Sequence, residues 1–155
     1  MKNLFFYDTV IGKIGIADDG NVITNIYFEN ETGAKETQIN ETPLIKEAGN
    51  QLKEYFEGKR KSFDLKIEPV GTEFQKSVWQ ALLDIPYGEL RSYKDIAIAV
   101  GNEKASRAVG MANNKNPISI IIPCHRVVGS NGKLVGYAGG LDIKELLLNI
   151  EKNNI

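Results

Sequence analysis

Cysteine and histidine are almost absent from this chain: one of each among 155 residues, Cys124 and His125, and they are adjacent. One cysteine excludes an internal disulfide, and one cysteine with one histidine cannot close a structural zinc site without carboxylates. No metal and no cofactor is therefore expected. Long apolar runs are missing too, since none approaches the roughly 20 residues of a membrane-spanning helix. The opening Met1-Lys-Asn-Leu-Phe-Phe-Tyr-Asp8 meets an acid too soon for a secretory leader, which makes a cytoplasmic protein without membrane contact the expectation. Excess charge of one sign is lacking as well: the net charge is −1, which does not by itself favour a polyanionic partner.

The distribution of charge points the other way. Residues 1–90 carry 10 Lys and Arg against 15 Asp and Glu, whereas residues 91–133 carry 7 against 2, a net +5. The basic third contains Cys124. A local excess of this size is ordinary for a solvated face, yet it also fits a surface that meets phosphates.

Leu4–Tyr7, Gly12–Ala17 and Val22–Phe28 are β-rich runs separated by turn residues, and they predict a three-stranded antiparallel meander. Residues 29–41 lack periodicity and read as a loop. Thr42-Pro43 caps a helix whose Leu44, Ile45, Ala48, Leu52, Tyr55 and Phe56 fall at helical spacing before Gly58 stops it. Phe63–Ile67 reads as a short strand, and the breaker Pro69-Val-Gly71 marks a boundary that divides the chain into residues 1–70 and 71–155. Thr72 then caps a helix with Phe74, Val78, Ala81, Leu82 and Ile85 on one face. Ser92 caps the next, ended by Gly101, and a third begins near Glu103 or Lys104. Two short helices joined at a glycine form a helix-turn-helix pattern. Ile118–Ile122 is a buried strand by composition, and Val127–Val135 reads as a strand, a turn at Ser130-Asn-Gly132 and a second strand, the wing of a winged helix. Tyr137-Ala-Gly-Gly140 is a flexible loop, and Leu141, Ile143, Leu146, Leu147 and Ile150 stripe a last helix.

Taken alone, a cysteine after an Ile-rich run is a small buried hydrophobe. Its neighbours argue for more, because a thiolate needs a base or a cation to form near neutral pH, and His125 and Arg126 follow at once. Adjacent side chains of an extended segment point to opposite faces. Either the chain turns at Cys124 or a water bridges thiol and imidazole, and a base acting through one water suffices. The imidazole would need an acidic partner, with Asp142, Glu145 and Glu151 the candidates.

Ile122-Pro-Cys-His-Arg-Val127, followed by Gly136-Tyr-Ala-Gly-Gly-Leu141 and Lys144-Glu-Leu-Leu147, resembles the signature of the O6-alkylguanine-DNA alkyltransferases, the methylated-DNA–protein-cysteine methyltransferases. The likeness extends back through Asn116-Pro117, Arg107-Ala-Val-Gly110, Ser92-Tyr93 and Tyr87-Gly-Glu89 to Phe74-Gln-Lys-Ser-Val-Trp79, so it covers roughly residues 72–151. It implies an α+β protein: a ribonuclease-H-like domain of three antiparallel strands and a helix, then a winged-helix-like helix-turn-helix domain. The implied partner is double-stranded DNA containing alkylated guanine, met by a monomer. The implied reaction moves the alkyl group from O6 of guanine, with O4-alkylthymine a second substrate the family allows, irreversibly onto Cys124 in a single turnover.

By the same resemblance His125 is the water-mediated base, Glu151 its partner, and Asn116 the brace of the turn around Cys124. Tyr93 acts on the departing guanine. Arg107 fills the gap left by a flipped base, with Ser92, Ala108, Gly110 and Arg126 as further DNA contacts. Val127, Tyr137, Ala138, Gly139 and Asn113 line the substrate pocket. Flipping suits the chemistry, because an alkyl carbon on O6 is inaccessible inside the duplex. Small residues beside Arg107 permit close approach to DNA without reading base edges. Asn113 and Ala138 depart from larger or hydroxylated residues in some relatives, which bears on pocket size. Trp79 reads as a core aromatic. The rival classes are a non-catalytic damage-recognition module, which would lack the acceptor thiol, an alkylation-sensing DNA-binding regulator, and a Cys-His hydrolase.

Overall fold

The computed structural model describes residues 1–31 and 37–155. Strands β1 (Lys2–Thr9), β2 (Gly12–Asp18) and β3 (Ile23–Phe28) form the expected antiparallel meander. The turn into β3 is made by Asp19, whose carboxylate accepts from the N–H groups of Asn21 at 2.9 Å and Val22 at 3.0 Å. A fourth strand, β4 (Thr37–Ile39), pairs in parallel with β1 and gives the order β3-β2-β1-β4. The stretch read as a loop over residues 29–41 therefore ends in a short edge strand; its residues 32–36 lie outside the described residues.

Helix α1 (Pro43–Phe56) starts where Thr42 accepts the N–H of Ile45 at 3.1 Å, and the same hydroxyl donates to Asp18 at 2.5 Å, which fixes the helix to the sheet. Ile45, Ala48, Leu52 and Tyr55 turn inward and join Ile14 and Ile16 in the core. Phe63–Ile67 does not form a strand. The Gln51 side chain brackets Asp64, donating to its carbonyl and accepting from its N–H, so only Ile67 bridges β3, at Ile23.

Helices α2 (Glu73–Leu83), α3 (Tyr93–Ala99) and α4 (Ser106–Asn114) follow. Capping boxes start the first two, Thr72 with Gln75 and Ser92 with Asp95. Helix α3 ends at Gly101, whose φ of +85° few other residues adopt. Helix α4 begins at Ser106, later than the spacing predicts, because Asn102 accepts from the N–H groups of Lys104 and Ala105 and holds a turn there. Trp79 pins α2 to α4 by donating to the Ala112 carbonyl at 2.9 Å, in keeping with its reading as a core aromatic.

Two expectations are overturned after α4. Ile118–Ile122 is buried but is not a strand. Asn116 takes the place of a neighbouring strand: its side-chain oxygen accepts the Ile118 N–H at 3.0 Å and its amide donates to the Ile122 carbonyl at 2.8 Å. The run is curled into a loop with Ile120 at a φ of +76° and touches the sheet through Ile26, whose N–H donates to the Pro117 carbonyl. Nor is there a wing hairpin among the described residues. Strand β6 (Val127–Val128) pairs in parallel with β5 (Arg91–Ser92), while the Val135 and Gly136 carbonyls accept from Lys144 instead of a strand. The last helix, α5 (Leu141–Asn153), buries Leu147 and packs Ile143 against the core, with Lys144 and Glu151 buried within that stripe and Leu141 exposed. No helix among the described residues is long and apolar enough to cross a membrane.

Candidate active site

The chain turns at Cys124. Residues Cys124–Arg126 form one turn of 3₁₀ helix, so the three side chains no longer alternate across an extended segment and all are buried. The thiol is 2% exposed. Its sulfur lies 4.0 Å from the Ser119 hydroxyl, and Asn116 also faces it; burial nonetheless pushes the thiol's pKa up. A buried thiol of that kind needs a base to ionise.

His125 is the neighbouring base, fully buried, with Nε2 2.6 Å from Glu151 Oε2. Glu151 also accepts from Arg126 at 2.8 and 3.1 Å, from the Gly88 N–H at 3.0 Å and from the Tyr55 hydroxyl at 2.5 Å. Burial alone would raise the carboxyl pKa, but the bonds from His125 and Arg126 outweigh it and hold the group at about 2. Burial, aided by the charges of Arg126 and Lys144, pushes the imidazole pKa down against the pull of Glu151. The ionised Glu151 is thus balanced by Arg126, and His125 is neutral at pH 7. Its Nε2–H donates to Glu151, which leaves Nδ1 as a lone-pair acceptor, buried and without a partner among the described residues. Of the three acids open from the sequence, Glu151 is the one brought to the imidazole.

The loop after β6 closes over this site. Lys144 reaches from α5 and donates to the carbonyls of Val127, Val135 and Gly136 at 2.6, 2.9 and 3.3 Å, and burial lowers its pKa to about 8. Tyr137 faces Cys124 with a buried hydroxyl whose pKa is raised by burial and by its closeness to Cys124. Ala138 accepts from Asn30 at 3.2 Å, and Gly139 lies so close to the Phe28 ring that a Cβ there would meet it at 3.2 Å. The Asn113 side-chain amide donates to the Cys124 carbonyl at 3.3 Å, and its side-chain oxygen is buried without a partner among the described residues. Val127 is fully buried.

Arg107 and Ala108 are exposed on α4, and Gly110 is open towards the Tyr93 ring. Tyr93 donates to the Val135 carbonyl at 3.0 Å, while the Ser92 side chain is occupied in capping α3. Arg126 must be withdrawn from the predicted DNA contacts. Only 7% exposed, it spends its guanidinium on Glu151 and on the Ile85 carbonyl at 2.6 Å, so it is an internal counterion. Tyr55, Lys144 and Ser119 were not predicted for the site. A lysine inside the apolar stripe of the last helix was a signal for Lys144; nothing in the sequence distinguished the Tyr55 hydroxyl from a core tyrosine.

A thiol beside a neutral imidazole held by a carboxylate, under a helix-turn-helix, defines a nucleophilic-cysteine enzyme built on a DNA-binding scaffold. Comparison with known proteins narrows the class. Residues 5–69 match the ribonuclease-like domain of 6-O-methylguanine DNA methyltransferase, and residues 73–153 match its DNA-binding domain. The chain belongs to the 6-O-methylguanine DNA methyltransferase family. It is 52% identical to a methylated-DNA–protein-cysteine methyltransferase of Methanosarcina barkeri, over 97% of this chain and 99% of that one. A constitutive enzyme of the same name from Bacillus subtilis is 51% identical over 94% and 92% of the two chains. The crystal structure of Mycobacterium tuberculosis OGT in complex with DNA superposes with a TM-score of 0.93 at 44% identity, covering 98% of this chain and 94% of that one.

Proposed function

We propose that Cys124 is the alkyl acceptor of this methylated-DNA–protein-cysteine methyltransferase and that His125 is its base. The observation carrying the reading is the free, buried Nδ1 of a neutral imidazole next to the only thiol of the chain. Nδ1 takes the thiol proton through a water, and the thiolate attacks the carbon on O6 of a flipped guanine. The S–C bond forms, the O–C bond breaks, and its electron pair passes to the guanine, which takes up a proton from the Tyr93 hydroxyl while the imidazolium formed at His125 releases its proton through solvent to restore the Tyr93 phenol, so that the net proton moves from thiol to guanine. Tyr93 exchanges its Val135 acceptor for the base as it does so. The thioether has no route back to the thiol, so each molecule acts once. Asn113, Tyr137, Ala138, Gly139 and Val127 surround the base. The test is mass spectrometry after mixing with DNA containing O6-methylguanine: the peptide holding Cys124 gains one methylene group. Unmodified protein in excess substrate would overturn the reading, and repeated ester or peptide hydrolysis would favour a hydrolase.

Helix α4 meets the DNA, with Ala108 and Gly110 allowing close approach and Arg107 filling the vacated stack. Arg107→Ala is expected to slow transfer from duplex DNA roughly 10- to 100-fold, the equivalent of part of an unstacking cost of a few kcal/mol. Transfer from single-stranded DNA, which needs no flipping, should change far less. Equal losses on both substrates would remove Arg107 from that role. The chain divides into units 1–70 and 71–155, a division supported by family matches that end at 69 and resume at 73. The protein acts as a monomer, because one chain holds every group the transfer uses. A reactive thiol without a disulfide partner suits a reducing, cytoplasmic setting.

A further inference from the structure

We infer that Tyr55, on helix α1, is a positioning residue for alkyl transfer: its hydroxyl engages Glu151 so that His125 remains a neutral base. The inference rests on the reading of His125 as the base for Cys124. Tyr55 is fully buried, with its hydroxyl 2.5 Å from Glu151 Oε2 and 3.3 Å from His125 Nε2. The same carboxylate oxygen takes the His125 Nε2–H and an Arg126 N–H. Phenol and imidazole therefore compete for one acceptor.

The competition has a direction. A donor on Oε2 draws negative charge away from the imidazole, and an imidazolium depends on that charge more than a neutral ring does. The groups facing His125 are Glu151 and Lys144 from α5, Arg126 on its own turn, and Tyr55 from α1; Tyr87, from the segment after α2, packs against both Tyr55 and Arg126. Arg126 and Lys144 oppose a second positive charge, and Glu151 favours one. Tyr55 tempers Glu151 without adding charge, and burial together with the carboxylate keeps its own proton in place. Its ring lies against Phe56, Phe63, Tyr87 and His125, contacts that phenylalanine would retain. The hydroxyl alone is what the relay uses, and it is supplied by the N-terminal part of the chain.

Tyr55→Phe tests this with an unambiguous probe, because the protein has one histidine and gives one imidazole signal by NMR. The His125 pKa should rise in the variant. The variant's transfer rate should fall below wild type on the acid limb of the pH profile, by roughly tenfold where the imidazole is protonated in both proteins, as for loss of one charge-assisted hydrogen bond. It should meet wild type at alkaline pH, where the imidazole is neutral in both. In a Glu151→Gln background, Tyr55→Phe should move the His125 titration no further. An unchanged or lowered His125 pKa, a rate loss independent of pH, equal shifts in both backgrounds, or unfolding of Tyr55→Phe would each overturn the proposal. His125→Gln separates the two readings. Wild-type transfer by that variant would remove the base assignment, whereas the NMR titration judges the Tyr55 link whether or not the base assignment stands.

Discussion

Cys124→Ala should bind O6-methylguanine DNA with near wild-type affinity and leave every lesion in place. The substitution removes the cysteine nucleophile, and the neighbouring groups do not replace it: Ser119 lies 4.0 Å from the sulfur, Tyr137 and Tyr93 have pKa values raised by burial, and Lys144 spends its ammonium on three carbonyls. Binding is expected to survive because the proposed DNA-contacting residues on α4 lie outside the turn that holds Cys124. Truncating a buried cysteine to alanine also costs little packing, about 1 kcal/mol or less for one sulfur atom. The check is a gel-shift titration beside a count of remaining O6-methylguanine. Residual transfer above background would mean a second acceptor, and loss of binding would mean that the turn itself contacts DNA.

Glu151→Ala should strongly destabilise the fold. It strips the acceptor from the Arg126 guanidinium, the His125 ring N–H, the Tyr55 hydroxyl and the Gly88 N–H. Breaking a buried ion pair by removing one partner costs about 3–5 kcal/mol, a large share of the roughly 5–15 kcal/mol that holds a domain folded. The pH dependence carries a sign. The carboxyl titrates at about 2 in the folded protein against 4.5 when free, so its stabilisation is fully present above pH 4.5 and is lost as pH falls through about 2. At about 1.4 kcal/mol per pH unit the loss is on the order of 3 kcal/mol. Urea melts of wild type and Glu151→Gln across that window should converge as pH falls. A constant gap would show that the charge of Glu151 does not stabilise the fold.

The sequence read well where local chemistry decides structure. The meander, the Thr42, Thr72 and Ser92 caps and the helix-turn-helix follow from turn residues, capping oxygens and periodicity, all of which act within a few residues. It read poorly where a distant side chain replaced a backbone partner. Ile118–Ile122 has the composition of a strand, but the Asn116 amide satisfies its polar groups. The wing failed for the same reason, because Lys144 claims the carbonyls a second strand would have offered. In the site, adjacency made Cys124 and His125 visible, and the motif pointed to Glu151. Arg126 was misplaced because a basic residue in a basic stretch looks exposed until its counterion, Glu151, is seen. The Tyr55 hydroxyl was invisible, being separated from Glu151 by 96 residues.

That separation also fixes when the relay can exist during folding. The Glu151 carboxylate gathers partners 25, 26, 63 and 96 residues away, whereas the capped helices and the meander close over a few residues each. Long loops lose more entropy on closure and are joined late. A refolding chain should therefore recover its helical signal before it recovers the capacity to accept an alkyl group, and contacts made that late act mainly by slowing unfolding. The thiol would become nucleophilic only when the rest of the molecule is in place.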